Sequence, residues 1–306
     1  MLSDPIRRCL LLALIAIGFF SCKFEDPIQN KISFNAVKGT TFIEVRRSFD
    51  NGLIFNKDGY QLAPIWRVKF LSDTTADVYN PDKKVFLKFS VTLDHDSIFN
   101  ISGTWLKAMK VSKDSLIFQV LKVEGKTVYY VKSNVYMTLY SENYITNVLH
   151  STIDEQRKPL KRDSAYIIKR TVITDLKADS FFAARKPVQI TRRSPLATVE
   201  KKGVEADVLN KWDNSDEYMF PEYNVHIRKA YEDFNYSFWA TVDTLGNIHY
   251  QKSMIYVMPE FQKATDHAIR GICDGYMKAY FKVIPGTTLG IEHNSAIVLN
   301  ISGSKK

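Results

Sequence analysis

Cysteine is scarce in this chain, with three in 306 residues, so cross-links contribute little and stability must come from packing. The 10 prolines are dispersed and form no proline-rich arm. Neither a low-complexity tract nor an internal repeat is visible, and no apolar run reaches the ~20 residues that a membrane-spanning helix needs. Glycine is sparse too: no glycine-rich phosphate loop follows a strand, and no Gly-x-Ser-x-Gly elbow occurs. Histidine and cysteine never fall at HExxH, HxH or CxxC spacing. A single-signed charge block is also missing. The 42 Lys and Arg are scattered among 33 acids, for a net charge of +9, whereas a nucleic-acid protein concentrates its cations on one face. The densest basic patches, Arg157–Arg162 and Arg192–Arg193, fall in loop-like sequence, as solvated turns or as contacts to anionic lipid head groups. What is present is 45% hydrophobic content over 306 residues, enough for two ordinary domains.

The longest apolar block opens the chain. Arg7 and Arg8 precede a stretch from Cys9 to Phe20, the length of a signal-peptide core behind a positive n-region. It ends in Gly18-Phe19-Phe20-Ser21-Cys22, which resembles the lipobox of bacterial lipoproteins, with Phe20 a bulky occupant. The resemblance implies cleavage after residue 21 and acylation of the Cys22 thiol; several acyl chains then hold the mature chain at a membrane. The alternative is an ordinary secretory signal with an incidental cysteine. Lys23, Glu25 and Asp26 follow at once and resemble a sorting signal for surface lipoproteins, though a solvated tether of mixed charge reads the same way. With Cys9 removed and Cys22 acylated, Cys273 alone remains, so no intramolecular disulfide is expected. A catalytic thiol at Cys273 would need a basic partner; a buried helix position accounts for it.

From about residue 41 to 140 the pattern is β throughout. Val85, Leu87, Phe89 and Val91 alternate with Phe86, Lys88 and Ser90, as do Leu116, Phe118 and Val120 with their neighbours. Turn residues punctuate the runs at Asn56–Gly59, Asn80–Asp82, Asp94–Ser97, Ser112–Ser115 and Glu124–Lys126. This predicts an antiparallel meander of six to eight strands, as a barrel or a sandwich. Ile65–Phe70 and the Asp94–Ile98 hairpin loosely resemble small lipocalin-like domains. That resemblance implies a cavity for a small apolar ligand, with Trp66, Phe89, Trp105 and Phe118 as candidate lining residues.

Residues 141–216 carry a weaker signal. Glu142–Gln156 predicts a helix, Tyr166–Thr174 and Pro187–Thr191 predict strands, and the polar stretch "SPLATVEKKGVEADVLNKWDNSDE" reads as a linker. The last part, 217–306, is clearer. Tyr236–Val242, a turn at Asp243–Asn247, and Ile248 with Tyr250 predict a hairpin. Phe261, Ala264, Ala268, Ile272, Tyr276 and Tyr280 predict one apolar helix stripe, opposite a polar face of Gln262, Asp266, Arg270, Asp274 and Lys278. Ala296–Ile301 predicts a final strand.

The order strand, strand, helix, strand, with "FWATVDTLGNIHY", "EFQKATDHAIRGI", "PGTTLG" and "SAIVLNIS", resembles the C-terminal domain of TonB-type energy transducers over residues ~220–303. The resemblance implies a β-β-α-β fold and an interaction role in which a sheet edge takes a partner's strand. It does not extend to energy transduction. That family has an uncleaved membrane helix and a proline-rich arm, and this chain departs from both. The stretch before the hairpin also departs from the usual tyrosine-proline approach.

Candidate chemistry is thin. Asp94-His95-Asp96 would converge on a metal only in a turn, and a turn stabilised by its own carboxylates is sufficient explanation. His226, His249, His267 and His293 share no motif. Gly271 and Gly275 give a GxxxG spacing that suits close packing. Tyr129, Tyr130, Tyr136, Tyr140 and Tyr144 would line a cavity, a core or a sheet surface. The expectation is a mainly β protein: signal peptide 1–21, lipidated tether 22–40, β-domain 41–140, connector 141–216 and α+β domain 217–306. Its expected place is the outer membrane of a Gram-negative envelope, periplasmic-facing or surface-exposed. Its expected role is a non-catalytic adaptor for an envelope protein partner in a transport or assembly complex, with no cofactor, metal or nucleic acid. A lipocalin-like carrier is the alternative, and an unrecognised hydrolase the third.

Overall fold

The computed structural model describes residues 32–125, 127–129, 132–176, 181–203 and 215–306. Cys22, Lys23, Glu25, Asp26, Lys126, Tyr130 and Val131 lie outside them.

Eight antiparallel strands close a barrel: β1 (Thr41–Phe49), β2 (Arg67–Ser72), β3 (Thr75–Asn80), β4 (Val85–Leu93), β5 (Ile98–Ile101), β6 (Thr104–Val111), β7 (Ser115–Val120) and β10 (Val135–Ser141). A short hairpin, β8 (Lys122–Glu124) and β9 (Thr127–Tyr129), projects between β7 and β10. The order is β1-β10-β7-β6-β5-β4-β3-β2, and β2 returns to β1 to seal the ring. Bulges at Glu44/Arg46, Phe70/Ser72 and Ala108/Lys110 supply the bends that closure requires. Period-two alternation sends Phe42, Val68, Phe70, Ala76, Val91, Phe99, Ile101, Leu106, Leu116, Phe118, Met137 and Leu139 inward, all essentially without solvent exposure. The meander is therefore a barrel, with much of its interior filled.

One end of the barrel is plugged. Phe34 enters it, stacks on Phe70 with ring centres 3.9 Å apart, and meets Phe99 edge-on at 5.1 Å. Asp73, in the β2–β3 turn, fixes the plug. Its carboxylate accepts the Phe34 N–H at 2.6 Å, the Ser33 hydroxyl at 3.1 Å and the Asn35 side chain at 3.0 Å. The β3–β4 and β5–β6 turns mark the opposite end, the mouth.

Beyond β10, the expected helix over Glu142–Gln156 is instead a π-helical turn at Tyr144–Val148 and a short helix at Ile153–Gln156. Thr152 and Glu155 cap the latter reciprocally, and Ile145 and Ile153 cover Ile43 and Val45 on the barrel's outer wall. The strand expected at Tyr166–Thr174 is a helix, α1 (Lys161–Leu176). Its β-branched residues favour a strand in isolation. Two tertiary features override that preference: Ile167 is fully buried, and Asp163 sits buried in the first turn. Asp163 accepts hydrogen bonds from Arg46 at 3.0 Å, Ile54 N–H at 3.1 Å and Leu160 N–H at 2.7 Å.

The C-terminal part is a five-stranded sheet in the order β12-β13-β19-β14-β15, accompanied by small pairings at β11 (Gln189–Arg192) with β16 (Phe281–Ile284) and at β17 (Thr287–Thr288) with β18 (Ile291–Glu292). The five strands are β12 (Ala197–Lys201), β13 (Glu222–Arg228), β14 (Phe234–Val242), β15 (Ile248–Ser253) and β19 (Ser295–Ser304). β13 runs parallel to β19; the other pairs are antiparallel. The segment expected as linker thus supplies a strand, because Ala197 and Val199 alternate onto the sheet core beside β13; its remainder, 204–214, lies outside the described residues. Helix α2 (Pro259–Ile272), extended by a π-helical turn at Cys273–Met277, covers one sheet face.

The expected apolar stripe of α2 needs correction. The helix buries Ile269, Ile272, Cys273 and Met277, while Phe261 and Ala264 are exposed. The first turns overrun the core, whereas Ile272, Tyr276 and Tyr280 of the expected stripe do pack against it.

A wedge of Ile54, Phe55, Ile167, Phe182, Leu289 and Ile291 joins the barrel's β1–β2 loop to α1 and the C-terminal part. Gly59 belongs to this seam. Its φ is +89°, and a Cβ there would meet the Ala183 carbonyl oxygen at 2.4 Å, so no side chain fits.

Candidate functional site

The barrel mouth is organised from β1. Glu44 stands opposite Leu139 and Arg47 opposite Met137, so both charged side chains turn toward the interior. Glu44 has no solvent exposure. It receives Arg47 at 2.7 and 2.9 Å, and it also accepts the N–H groups of Ile65 at 2.8 Å and Trp66 at 2.9 Å. A carboxylate with four charge-assisted or backbone donors is satisfied despite burial. It clamps the returning β1–β2 loop and thereby sets Trp66 at the rim. Nearby, the Arg157 guanidinium donates to the Glu44 carbonyl at 2.9 Å; burial, partly offset by Glu44, holds its pKa below the usual arginine value.

Trp66 and Phe89 share a cavity of about 260 Å³ at this mouth. Val78 and Leu87 complete its apolar wall, and Asn80, Ser102 and Thr104 give it a polar edge. The other two candidates are elsewhere. Phe118 is buried in the filled part of the barrel, edge-on to Phe99 at 5.2 Å. Trp105 alternates with the inward-facing Leu106 and so points away from the interior. The structure brings together two of the four.

A second candidate surface is the C-terminal sheet. Among the described residues β12 and β15 are its edges, each with one strand neighbour. On β12, the Leu196 carbonyl accepts from Arg228 N–H and Lys202 N–H donates to the Glu222 carbonyl. Thr198 and Glu200 therefore face β13 with their backbone groups, whereas Val199 and Lys201 turn theirs outward. β19, the last strand, is central, flanked by β13 and β14. The face away from α2 carries a polar ladder: Asn300 donates to Glu222 at 2.6 Å and Asn224 at 2.9 Å, and accepts from Ser237 at 2.6 Å.

Titratable groups are dispersed. Asp94 and His95 pair at 2.8 Å in an exposed turn. His249 pairs with Asp243 at 2.9 Å; burial tends to raise the Asp243 pKa, but bonds from His249, Asn247 and Leu245 outweigh it and hold the carboxyl below its ordinary value. His226 bonds Ser302 at 3.0 Å on the open sheet face, and His267 is exposed on α2. His293 is fully buried, stacked on Phe182 at 3.7 Å and bonded to Thr288 at 3.0 Å; burial lowers its pKa to about 4. Burial also pushes the Cys273 thiol up to about 12, which removes the thiolate at neutral pH. Among the described residues no group of three His, Cys, Asp or Glu is placed to hold a metal ion, and no helix is long and apolar enough to cross a membrane.

Sequence reasoning missed Glu44 and Arg47. The signal was present: a carboxylate at an inward position of an otherwise apolar strand, Phe42-Ile43-Glu44-Val45, requires a buried partner. Asp73 left no comparable trace, because its partners lie about forty residues away in the chain. No family model matches the chain, and no curated protein matches it.

Proposed function

We propose that this chain is a lipoprotein of the Gram-negative outer membrane, anchored by acyl groups on Cys22 and sorted by Lys23, Glu25 and Asp26, that binds an envelope protein without catalysis. The β12 edge carries this reading: among the described residues, the backbone groups of Val199 and Lys201 that turn away from β13 meet no further strand. The succession β14, β15, α2, β19 supports it, since it follows the order that resembles the TonB C-terminal domain. In this chain β13 lies along the outer side of β19 and β12 lies along β13, so addition on that side falls to β12. Metabolic labelling with a fatty-acid analogue tests the anchor; label retained in Cys22→Ala rejects it. Affinity capture from detergent-solubilised envelopes tests the adaptor role. The native lipidated protein recovers an envelope protein above a soluble control, and Lys201→Pro loses it; equal recovery in protein and control rejects the role.

The mouth cavity favours a second reading, a carrier of a small apolar ligand. At about 260 Å³ it falls just below the ~300–1,000 Å³ of common ligand pockets. Quenching of Trp66 fluorescence by an apolar dye, abolished by Phe89→Ala, would support the carrier. Quenching that is indifferent to that substitution removes the support.

A further inference from the structure

Among the described residues, the densest run of exposed large apolar side chains lies between β15 and α2. Within eight residues, Met254, Ile255, Tyr256, Met258 and Phe261 are 51, 55, 82, 51 and 55% exposed. Single exposed apolar residues are ordinary, but a run of five marks a contact surface. The run is not frayed. Met254 N–H donates to the Ser237 carbonyl at 2.9 Å, and the Ser253 hydroxyl accepts from Ile255 N–H at 3.1 Å. Phe261 N–H donates to the Met258 carbonyl at 2.9 Å, and Pro259 occupies the first position of α2, where its fixed φ suits the helix. The side chains are thus held outward on a braced prong.

We propose that this prong inserts into the interfacial layer of an anionic bilayer. Ile255, Tyr256, Met258 and Phe261 would enter the acyl boundary. Lys252 before the run and Lys263 after it, both exposed, would meet lipid phosphates. The observations favour a bilayer over a protein groove on two grounds. An irregular projecting loop offers no flat area for a partner to cover, whereas a bilayer conforms to it. The two flanking lysines, with Glu260 as the intervening acid, suit a negative surface, as does the net charge of +8 left when Asp4, Arg7 and Arg8 of residues 1–21 are taken from the full chain's +9. The proposal rests on the envelope reading only for what brings the prong to a membrane, and its test removes that dependence.

Residues 22–306 carrying Cys22→Ser, which cannot be acylated, are floated with vesicles of phosphatidylglycerol and phosphatidylethanolamine, and separately with phosphatidylcholine vesicles. The chain co-floats with the anionic vesicles and much less with the neutral ones. Ile255→Ser with Tyr256→Ser lowers co-flotation at least about tenfold, since two apolar side chains leave the lipid. Its thermal midpoint stays put, because both side chains are already in water. Lys252→Glu with Lys263→Glu lowers co-flotation less, and by an amount that shrinks as salt is raised. Absence of flotation by the Cys22→Ser chain overturns the proposal, as does undiminished flotation of the Ile255/Tyr256 variant. A concentration-dependent dimer in ultracentrifugation, abolished by that variant in a chain that does not float, overturns it in favour of a second copy. Failed acyl labelling of the native chain would reject the anchor and leave this result standing.

Discussion

The barrel and the C-terminal sheet solve the same problem in opposite ways. Both must pair the backbone of many strands and hide one face of each. The barrel curls until β2 meets β1, which leaves no edge, and its interior is packed with Phe34, Phe42, Phe70, Phe99 and Phe118. The sheet stays open: α2 covers one face, the other carries the Asn300 ladder, and among the described residues β12 and β15 are left as edges. Closure gives a region with little backbone to offer a partner and a shallow cavity at its mouth. Openness gives a region with free backbone, a braced apolar prong and a hydrogen-bonded polar face. On the proposed readings, protein or membrane contact would fall to the C-terminal part and a small ligand to the barrel.

The contrast can be broken first at the barrel's centre. Phe99 touches Phe34, Phe70 and Phe118. Phe99→Ala is expected to cost about 3–5 kcal/mol, measured by denaturant unfolding. A loss below about 1 kcal/mol would mean the ring of aromatics is not the barrel's core.

The seam between the regions is the next place. His293 has a folded-state pKa lowered from an ordinary 6.5 to about 4, with Arg170 adding a same-signed charge nearby. A depressed histidine favours the folded state above its unfolded value, because the unfolded chain takes up the proton first. That contribution, at most roughly 3 kcal/mol, is present above pH 6.5 and lost as pH falls through about 4. Unfolding free energy measured from pH 7 to pH 4 should fall, with a shallower slope in His293→Gln. Equal slopes would refute the assignment.

A smaller effect is expected at the mouth. Glu44→Gln removes the charge that faces Arg47 and weakens the clamp on Ile65 and Trp66. Because Arg47 retains some solvent, the cost is about 1–3 kcal/mol, accompanied by a change in tryptophan emission. Unaltered emission and stability would show that the clamp does not position the loop. Least is expected of Lys201→Pro: its N–H faces away from β13, so stability should move by under about 1 kcal/mol while strand addition at that edge is lost. A large drop in thermal midpoint would show that the edge is not free.

Much of the architecture was legible where burial is one-sided. The alternation in β4 and β7, the β14–β15 hairpin with its Asp243–Asn247 turn, and the last strand all follow from side chains that must choose between core and water. The reading failed where tertiary partners decide. Tyr166–Thr174 looks like a strand by its β-branched residues, yet the Asp163 contacts and the burial of Ile167 make it a helix. The stripe assigned to α2 failed only at its start, Phe261 and Ala264, because the helix begins before it reaches the sheet core; Ile272, Tyr276 and Tyr280 pack against that core. Of the ligand candidates, Trp66 and Phe89 meet because the Glu44 clamp returns the β1–β2 loop to the rim. Trp105 is excluded by its register beside Leu106.

The amino-acid order by itself determined that the chain is mainly β, where most strands run, and that a helix follows the β14–β15 hairpin, since these depend on local periodicity and turn chemistry. Barrel rather than sandwich, the edges left open, the fit of Phe34 into the barrel's end and the exposure of Met254–Phe261 were decided by the tertiary structure. Each of these is set by which distant backbone or side chain arrives alongside, and pairing across tens to hundreds of residues leaves no local period to read.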